Sequence, residues 1–131
     1  MNCTRMYEII LNYDQIAVNK SAEAKFHVCL YFDAMFDFNF PFRPLLAYIS
    51  DCLQRNGVST EVKLPAYMEF EDFVTGEFIV GGRQIGIYFE HSLSYVSFSS
   101  NSYVDLEQIV AASAGKRFQH AGYGLDDAKL S

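Results

Sequence analysis

The sequence predicts an α+β fold: an antiparallel, curved β-sheet of about five to six strands with one main helix packed on it. Between residues 26 and 42 every even-numbered residue is apolar, and six of these are phenylalanine. That period of two is typical of a strand with one buried face. Residues 44–55 then show apolar side chains at helical spacing, and after Gly57 the period of two returns in short runs separated by glycine turns. Short alternating runs joined by tight turns indicate antiparallel strands.

The N-terminal part predicts two strands. Residues 6–13 alternate and form the first strand, and residues 26–39 form the second, which we expect to pair antiparallel with the first. The second run is longer than an ordinary strand, so a bend or bulge is predicted near residues 33–35. Its phenylalanine face should lie on the core.

The main helix is predicted at residues 44–55. Pro44 suits a first helical turn because the missing N–H costs nothing there, and Asn56 with Gly57 forms a C-terminal stop. A second helix is predicted near residues 105–114, where Asp105 and Gln108 have the spacing of a capping box. The apolar stripe of the main helix is Leu45, Leu46, Tyr48, Ile49, Cys52 and Leu53.

The remaining strands are predicted near residues 62–73, 77–80, 84–90 and 94–99, in meander order. Gly81–Gly82 lies between two alternating runs, which is a hairpin signal. Residues 116–131 lack periodicity and are predicted to be a loose or partner-ordered C-terminal tail. The 131 residues are interpreted as a single domain, 1–131, since they suffice for one core.

The composition of the chain disfavours several classes of function. Sixteen acidic residues against ten basic ones give a net charge of −6, and no basic patch is present, so nucleic-acid binding is disfavoured. No apolar stretch reaches the ~20 residues of a membrane helix, and no signal-peptide pattern begins the sequence. The three cysteines contain no C-x-x-C pair, which is typical of a reducing compartment. A cytoplasmic protein is expected.

Motifs for catalysis or cofactors are weak. The glycines near residues 76–86 do not form a phosphate-binding loop, and His27, His91 and His120 lack metal-ligand spacing. No cofactor, metal or enzymatic activity is therefore predicted. Cys29 and His27 share a strand face and are the best nucleophile–base pair in the sequence, although Cys29 is more simply a half-buried strand residue.

Carboxylates interleaved with tyrosine mark the outward positions of the predicted sheet. Such a surface suits a protein partner rich in lysine and arginine, because charges speed the encounter and aromatic side chains provide buried anchors. A solvated face without a partner is the alternative interpretation. The predicted partner-binding residues are Tyr31, Asp33, Asp37, Tyr67, Glu69, Glu71 and Asp72.

In size, acidity and element order, the whole chain resembles the bacterial immunity proteins of contact-dependent inhibition and related polymorphic toxin systems. Those proteins are small, acidic, cytoplasmic and often α+β, and they bind a nuclease toxin domain and block its active site. The resemblance implies a basic toxin partner, with the five carboxylates above in its nucleic-acid cleft and Tyr31 and Tyr67 as anchors.

Two other functions remain open from the sequence. A small curved-sheet enzyme or ligand-binding domain would use an apolar pocket, with His27, Tyr31 and Glu90 as its polar groups. Phenylalanines that fill a dry core would argue against such a pocket. A dimerising module would pair an exposed sheet edge with its twin, so a homo-oligomer is also considered.

Overall fold

The computed structural model describes residues 6–20, 24–32, 39–68 and 72–122, which form eight strands and two helices. Neither described helix is long and apolar enough to span a membrane. The strands are β1 Met6–Ile10, β2 Ala17–Val18, β3 Phe26–Tyr31, β4 Thr60–Lys63, β5 Phe73–Val80, β6 Arg83–Glu90, β7 Tyr95–Ser100 and β8 Arg117–Ala121. The helices are α1 Phe42–Arg55 and α2 Tyr103–Ser113.

Six strands form one antiparallel sheet in the order β2-β3-β7-β6-β5-β4. The prediction of an α+β fold with a curved antiparallel sheet and one main helix is confirmed. Strands β4 to β7 follow one another as a meander, whereas β3 enters from the N-terminal part of the chain and pairs with β7. The register places Tyr31 opposite Tyr95 and Cys29 opposite Ser97.

The first strand pairs differently from the prediction. β1 forms a separate two-stranded antiparallel sheet with β8, from Met6 opposite Ala121 to Ile10 opposite Arg117. The predicted pairing of the first strand with the second was therefore wrong; within the described residues, an isolated bridge between Tyr13 and Leu30 joins the two segments. Residues 117–121 of the predicted loose tail are likewise ordered as β8, and its last part, 123–131, lies outside the described residues.

The described even-numbered residues after Phe26 in the run 26–42 are buried, as the alternation predicts, although Phe40 and Phe42 lie beyond β3, at the entry to α1, and positions 34, 36 and 38 lie outside the described residues. Phe40, Phe42 and Phe89 are completely buried, and the rings of Phe42 and Phe89 stack with centroids 3.8 Å apart. Helix α1 begins at Phe42 and adds Leu45, Leu46, Ile49 and Leu53 to this core. Since each buried phenylalanine contributes about 1.5–3 kcal/mol, this packing is a principal source of stability. The described even-numbered positions that are buried are Val28, Leu30, Phe32, Phe40 and Phe42.

Several element boundaries differ from the prediction for local reasons. The long second strand ends at Tyr31, and the bend predicted near residues 33–35 lies outside the described residues. The run predicted at 62–73 divides, because β4 ends before Pro65, which cannot donate to a ladder. Helix α2 begins at Tyr103, so Asp105 lies within its first turn instead of capping it. No side-chain hydrogen bond caps this helix.

Candidate functional site

The six-stranded sheet presents one face to the helices and the other away from them. The inner face carries the fully buried side chains of the core, such as Val96 and Phe98. Strand alternation places the intervening side chains on what we call the outer face, where they are exposed or half-buried. The outer face consists of His27, Cys29, Tyr31, Glu61, Lys63, Phe73, Thr75, Glu77, Ile79, Gln84, Gly86, Tyr88, Glu90, Tyr95, Ser97 and Ser99.

One end of the outer face carries a group of aromatic side chains around a carboxylate. The register aligns Tyr31, Tyr95, Glu90 and Phe73 on four neighbouring strands. With strands ~4.8 Å apart, this row extends about 14 Å across the sheet. Tyr88 lies two residues before Glu90 on the same face. We call these five residues the aromatic–carboxylate cluster.

The rings of this cluster are in mutual contact yet open to solvent. The ring centroids of Tyr31 and Tyr95 are 5.8 Å apart, and those of Tyr88 and Tyr95 are also 5.8 Å apart. Phe73 and Tyr88 follow at 6.5 Å. Tyr31 is 52% exposed and Phe73 is 63% exposed. Large aromatic side chains this exposed, and adjacent to one another, are typical of a binding surface.

Hydrogen bonds fix the carboxylate of Glu90 inside the cluster. The Tyr88 hydroxyl donates to Oε1 of Glu90 at 2.5 Å, and the Ser92 hydroxyl donates to Oε2 at 2.9 Å. The backbone N–H of Ser92 donates to Oδ1 of Asp72 at 3.2 Å. The turn after β6 therefore holds two carboxylates beside the aromatic rings.

The tyrosines of the cluster are held in their neutral form. The hydrogen bond to Glu90 raises the pKa of Tyr88 to about 12, and partial burial and the charge of Glu90 add to this shift. Partial burial and then Glu90 raise the pKa of Tyr95. The pKa of Tyr31 is raised chiefly by Cys29 on the same face. At neutral pH the three phenols of the cluster are therefore uncharged.

The structure places the predicted partner-binding residues in different regions. Tyr31 belongs to the cluster, and Asp72 precedes β5 next to the turn that holds Glu90. Tyr67 lies after β4, outside the strands, with the Arg43 guanidinium 5.7 Å from its ring centroid. The structure therefore does not bring Tyr67 together with Tyr31. The other predicted residues, Asp33, Asp37, Glu69 and Glu71, lie outside the described residues.

Three cluster residues, Tyr88, Tyr95 and Phe73, were missed by the sequence analysis as partner-binding residues, and Glu90 was considered only as a polar group of a pocket. Alternation in the predicted strands 84–90 and 94–99 does place Tyr88, Glu90 and Tyr95 outward. The missing information was strand order, because Tyr31 and Tyr95 become neighbours only through the pairing of β3 with β7.

The outer face also carries the predicted nucleophile–base pair and a cleft. Cys29 and His27 lie opposite Ser97 and Ser99, respectively. Near Gly86 the absence of a side chain leaves an open cleft of about 470 Å³, whose lining includes the polar residues Gln84 and Ser99. Within the described ranges, no group of three histidine, cysteine or acidic side chains is arranged to hold a metal ion.

Comparisons of the chain with protein-family models, with curated proteins and with solved structures found no match.

Proposed function

We propose that this protein is an immunity protein that binds a cognate bacterial toxin domain and occludes its active site. The toxin domain is basic, such as a nuclease, and the binding takes place in the cytoplasm. The observation that supports the proposal is the aromatic–carboxylate cluster, which combines exposed anchor side chains with fixed negative charge on a sheet face turned away from the helices.

The physical basis is electrostatic steering followed by aromatic anchoring. A net charge of −6 attracts a basic domain over the range of a Debye length, about 8–10 Å, and speeds encounter. Carboxylates such as Asp72 and Glu90 would then occupy positions that nucleic-acid phosphates take in the toxin. Exposed rings such as Tyr31 and Phe73 supply the apolar contact that keeps the complex together.

The outer face also has a suitable size. Six strands at ~4.8 Å spacing are about 24 Å wide, and an eight-residue strand is about 26 Å long. This outline of roughly 600 Å² is close to the ~800 Å² that each partner buries in a standard protein interface. The neighbouring loops would supply the remainder.

The packing of the phenylalanines argues against the pocket function. Phe78, Phe89 and Phe98 are completely buried in the described core, so they do not line an opening to solvent. The cleft at Gly86 is open, and most of the residues around it are polar. An apolar ligand would find no enclosed site among these residues.

The test is capture of the partner from the source cell with the tagged protein, at low and then high salt. We expect one basic protein that salt releases and that shows toxin activity, such as nuclease activity, only after release. Recovery of no such protein would overturn the proposal.

The binding surface is tested by matched charge reversals. The double variant Asp72→Lys/Glu77→Lys changes the outer face at Glu77 and the adjoining turn at Asp72, and Asp51→Lys/Glu107→Lys makes the same charge change at exposed positions of the two helices. We expect the outer-face variant to lower the association rate at least tenfold more than the control does. Equal association rates for the two variants would contradict the assignment of the outer face.

A further inference from the structure

We propose that the aromatic–carboxylate cluster is a receptor for one arginine side chain of the partner. This inference rests on the proposed function, because it names the group that the toxin would insert at the centre of the interface. It is argued from the ring geometry, the hydrogen bonding of Glu90 and the distribution of charge on the outer face.

The three tyrosine rings lie beside one another on the outer face. Tyr95 is flanked by Tyr31 and Tyr88 at equal centroid distances of 5.8 Å, with interplanar angles of 36° and 49°. The three rings are therefore splayed and not stacked flat against one another. A guanidinium within about 6 Å of a ring centroid is attracted by the ring face, and arginine makes this contact more often than lysine.

The carboxylate of Glu90 is arranged to accept a two-pronged donor. Each of its oxygens already accepts one hydrogen bond, Oε1 from Tyr88 and Oε2 from Ser92. A carboxylate has about four acceptor sites, so each oxygen keeps one for a ligand. The planar fork of arginine matches this geometry with two parallel N–H···O bonds, whereas an ammonium group does not.

The cluster lacks a cation of its own in the described part of the chain. Lys63 is the one lysine or arginine on the outer face there, and it lies opposite Glu77 in the β4–β5 pair, away from the row that contains Glu90. Arg83 belongs to the inner face and binds Asp105. Among the described residues, Glu90 therefore has no lysine or arginine partner, which favours a cation from another molecule.

The receptor is tested on the isolated protein by titrating N-acetyl-arginine methylamide and following the tyrosine ring resonances by NMR. The probe's citrulline analogue is the matched control, since it keeps the shape and removes the charge. We expect saturable shifts of Tyr31, Tyr88 and Tyr95 with arginine, and at least fivefold weaker binding with citrulline. Tyr103 is exposed on α2 and serves as an internal control whose ring resonances should not move.

The variant Glu90→Gln should weaken arginine binding at least fivefold while the Tyr103 resonances stay unchanged, which shows that the fold is kept. Equal binding of the arginine and citrulline probes would overturn the receptor. Equal binding of a lysine probe would also overturn it, because the site would then respond to charge alone.

These outcomes are distinguishable from those of the proposed function. If arginine does not bind but a toxin is captured and depends on the outer face, the receptor is wrong and the immunity function stands. If arginine binds but no toxin is captured, the receptor stands and the immunity function is wrong.

Discussion

Replacing Asp105 with alanine should destabilise the protein by about 2 kcal/mol. Its carboxylate is almost completely buried and accepts two side-chain hydrogen bonds, from Arg83 at 2.7 Å and from the Ser100 hydroxyl at 3.1 Å. The buried bond from Ser100 to a charged acceptor is worth ~1.5 kcal/mol. The side chain of Arg83 is 61% exposed, so solvent screening reduces its contribution to ~0.5–1 kcal/mol.

Two smaller effects nearly cancel in this variant. Loss of the negative charge from the first turn of α2 costs ~0.5 kcal/mol, because it removes a favourable interaction with the helix dipole. The higher helix propensity of alanine returns about the same amount. Arg83→Met should cost only ~0.5–1 kcal/mol, since Asp105 then keeps its bond from Ser100.

Urea unfolding followed by far-ultraviolet circular dichroism measures both variants and their double mutant. With a slope of ~2 kcal/mol/M, Asp105→Ala should lower the midpoint by about 1 M. The coupling between Asp105 and Arg83 should be ~0.5–1 kcal/mol. A change below ~0.5 kcal/mol for Asp105→Ala, which is typical of an ordinary surface position, would refute the assigned role of its carboxylate.

Four further predictions concern the sheet. Glu90→Gln should lower the pKa of Tyr88 from about 12 toward its ordinary value, because a neutral amide is a weaker hydrogen-bond acceptor than a carboxylate. An NMR titration of the Tyr88 ring carbons measures this pKa, and an unchanged titration midpoint would contradict the prediction. In the parent protein the pKa of Tyr88 is higher in the folded state than in the unfolded state, so between about pH 10 and 12 the unfolded state binds fewer protons. The free energy of unfolding should therefore fall as pH rises through that range. Gly86→Ala should destabilise the protein by about 1 kcal/mol, because the new Cβ would lie 2.7 Å from the Ser99 hydroxyl. The same substitution should become neutral or stabilising when Ser99→Ala is also present. A persistent cost in the double variant would show that the clash lies elsewhere. Phe89→Ala should cost about 3–5 kcal/mol in the same urea experiment, and a loss below ~1 kcal/mol would mean that the core collapses around the site.

The face of each strand could be predicted from the sequence, whereas the neighbours of several strands could not. Alternation from Phe26 correctly places Val28 and Leu30 on the core, since side-chain direction in a strand follows from its period. The pairing of β1 with β8 joins segments near opposite ends of the described chain, and no local pattern reports such a contact.

The candidate site, too, could be predicted from the sequence only in part. Tyr31 was predicted on the outer face from its position in β3, and its exposure there agrees with that placement. Its contacts with Tyr95 and, through it, Tyr88 depend on strand order, which short-range periodicity does not contain. Asp105 was interpreted as a capping residue, but its partner Arg83 lies 22 positions away and outweighs the local motif.

The pairing of β1 with β8 also determines when the fold can be completed during synthesis. The β4–β7 meander consists of contacts between successive strands and can form as soon as those strands have left the ribosome. Of the eight described strands, β1 emerges before the others but waits for Arg117–Ala121, its partner at the far end of the described chain. Until those residues have been synthesised, Tyr7 of β1, which is buried in the complete fold, lacks its partner strand and remains available to a chaperone.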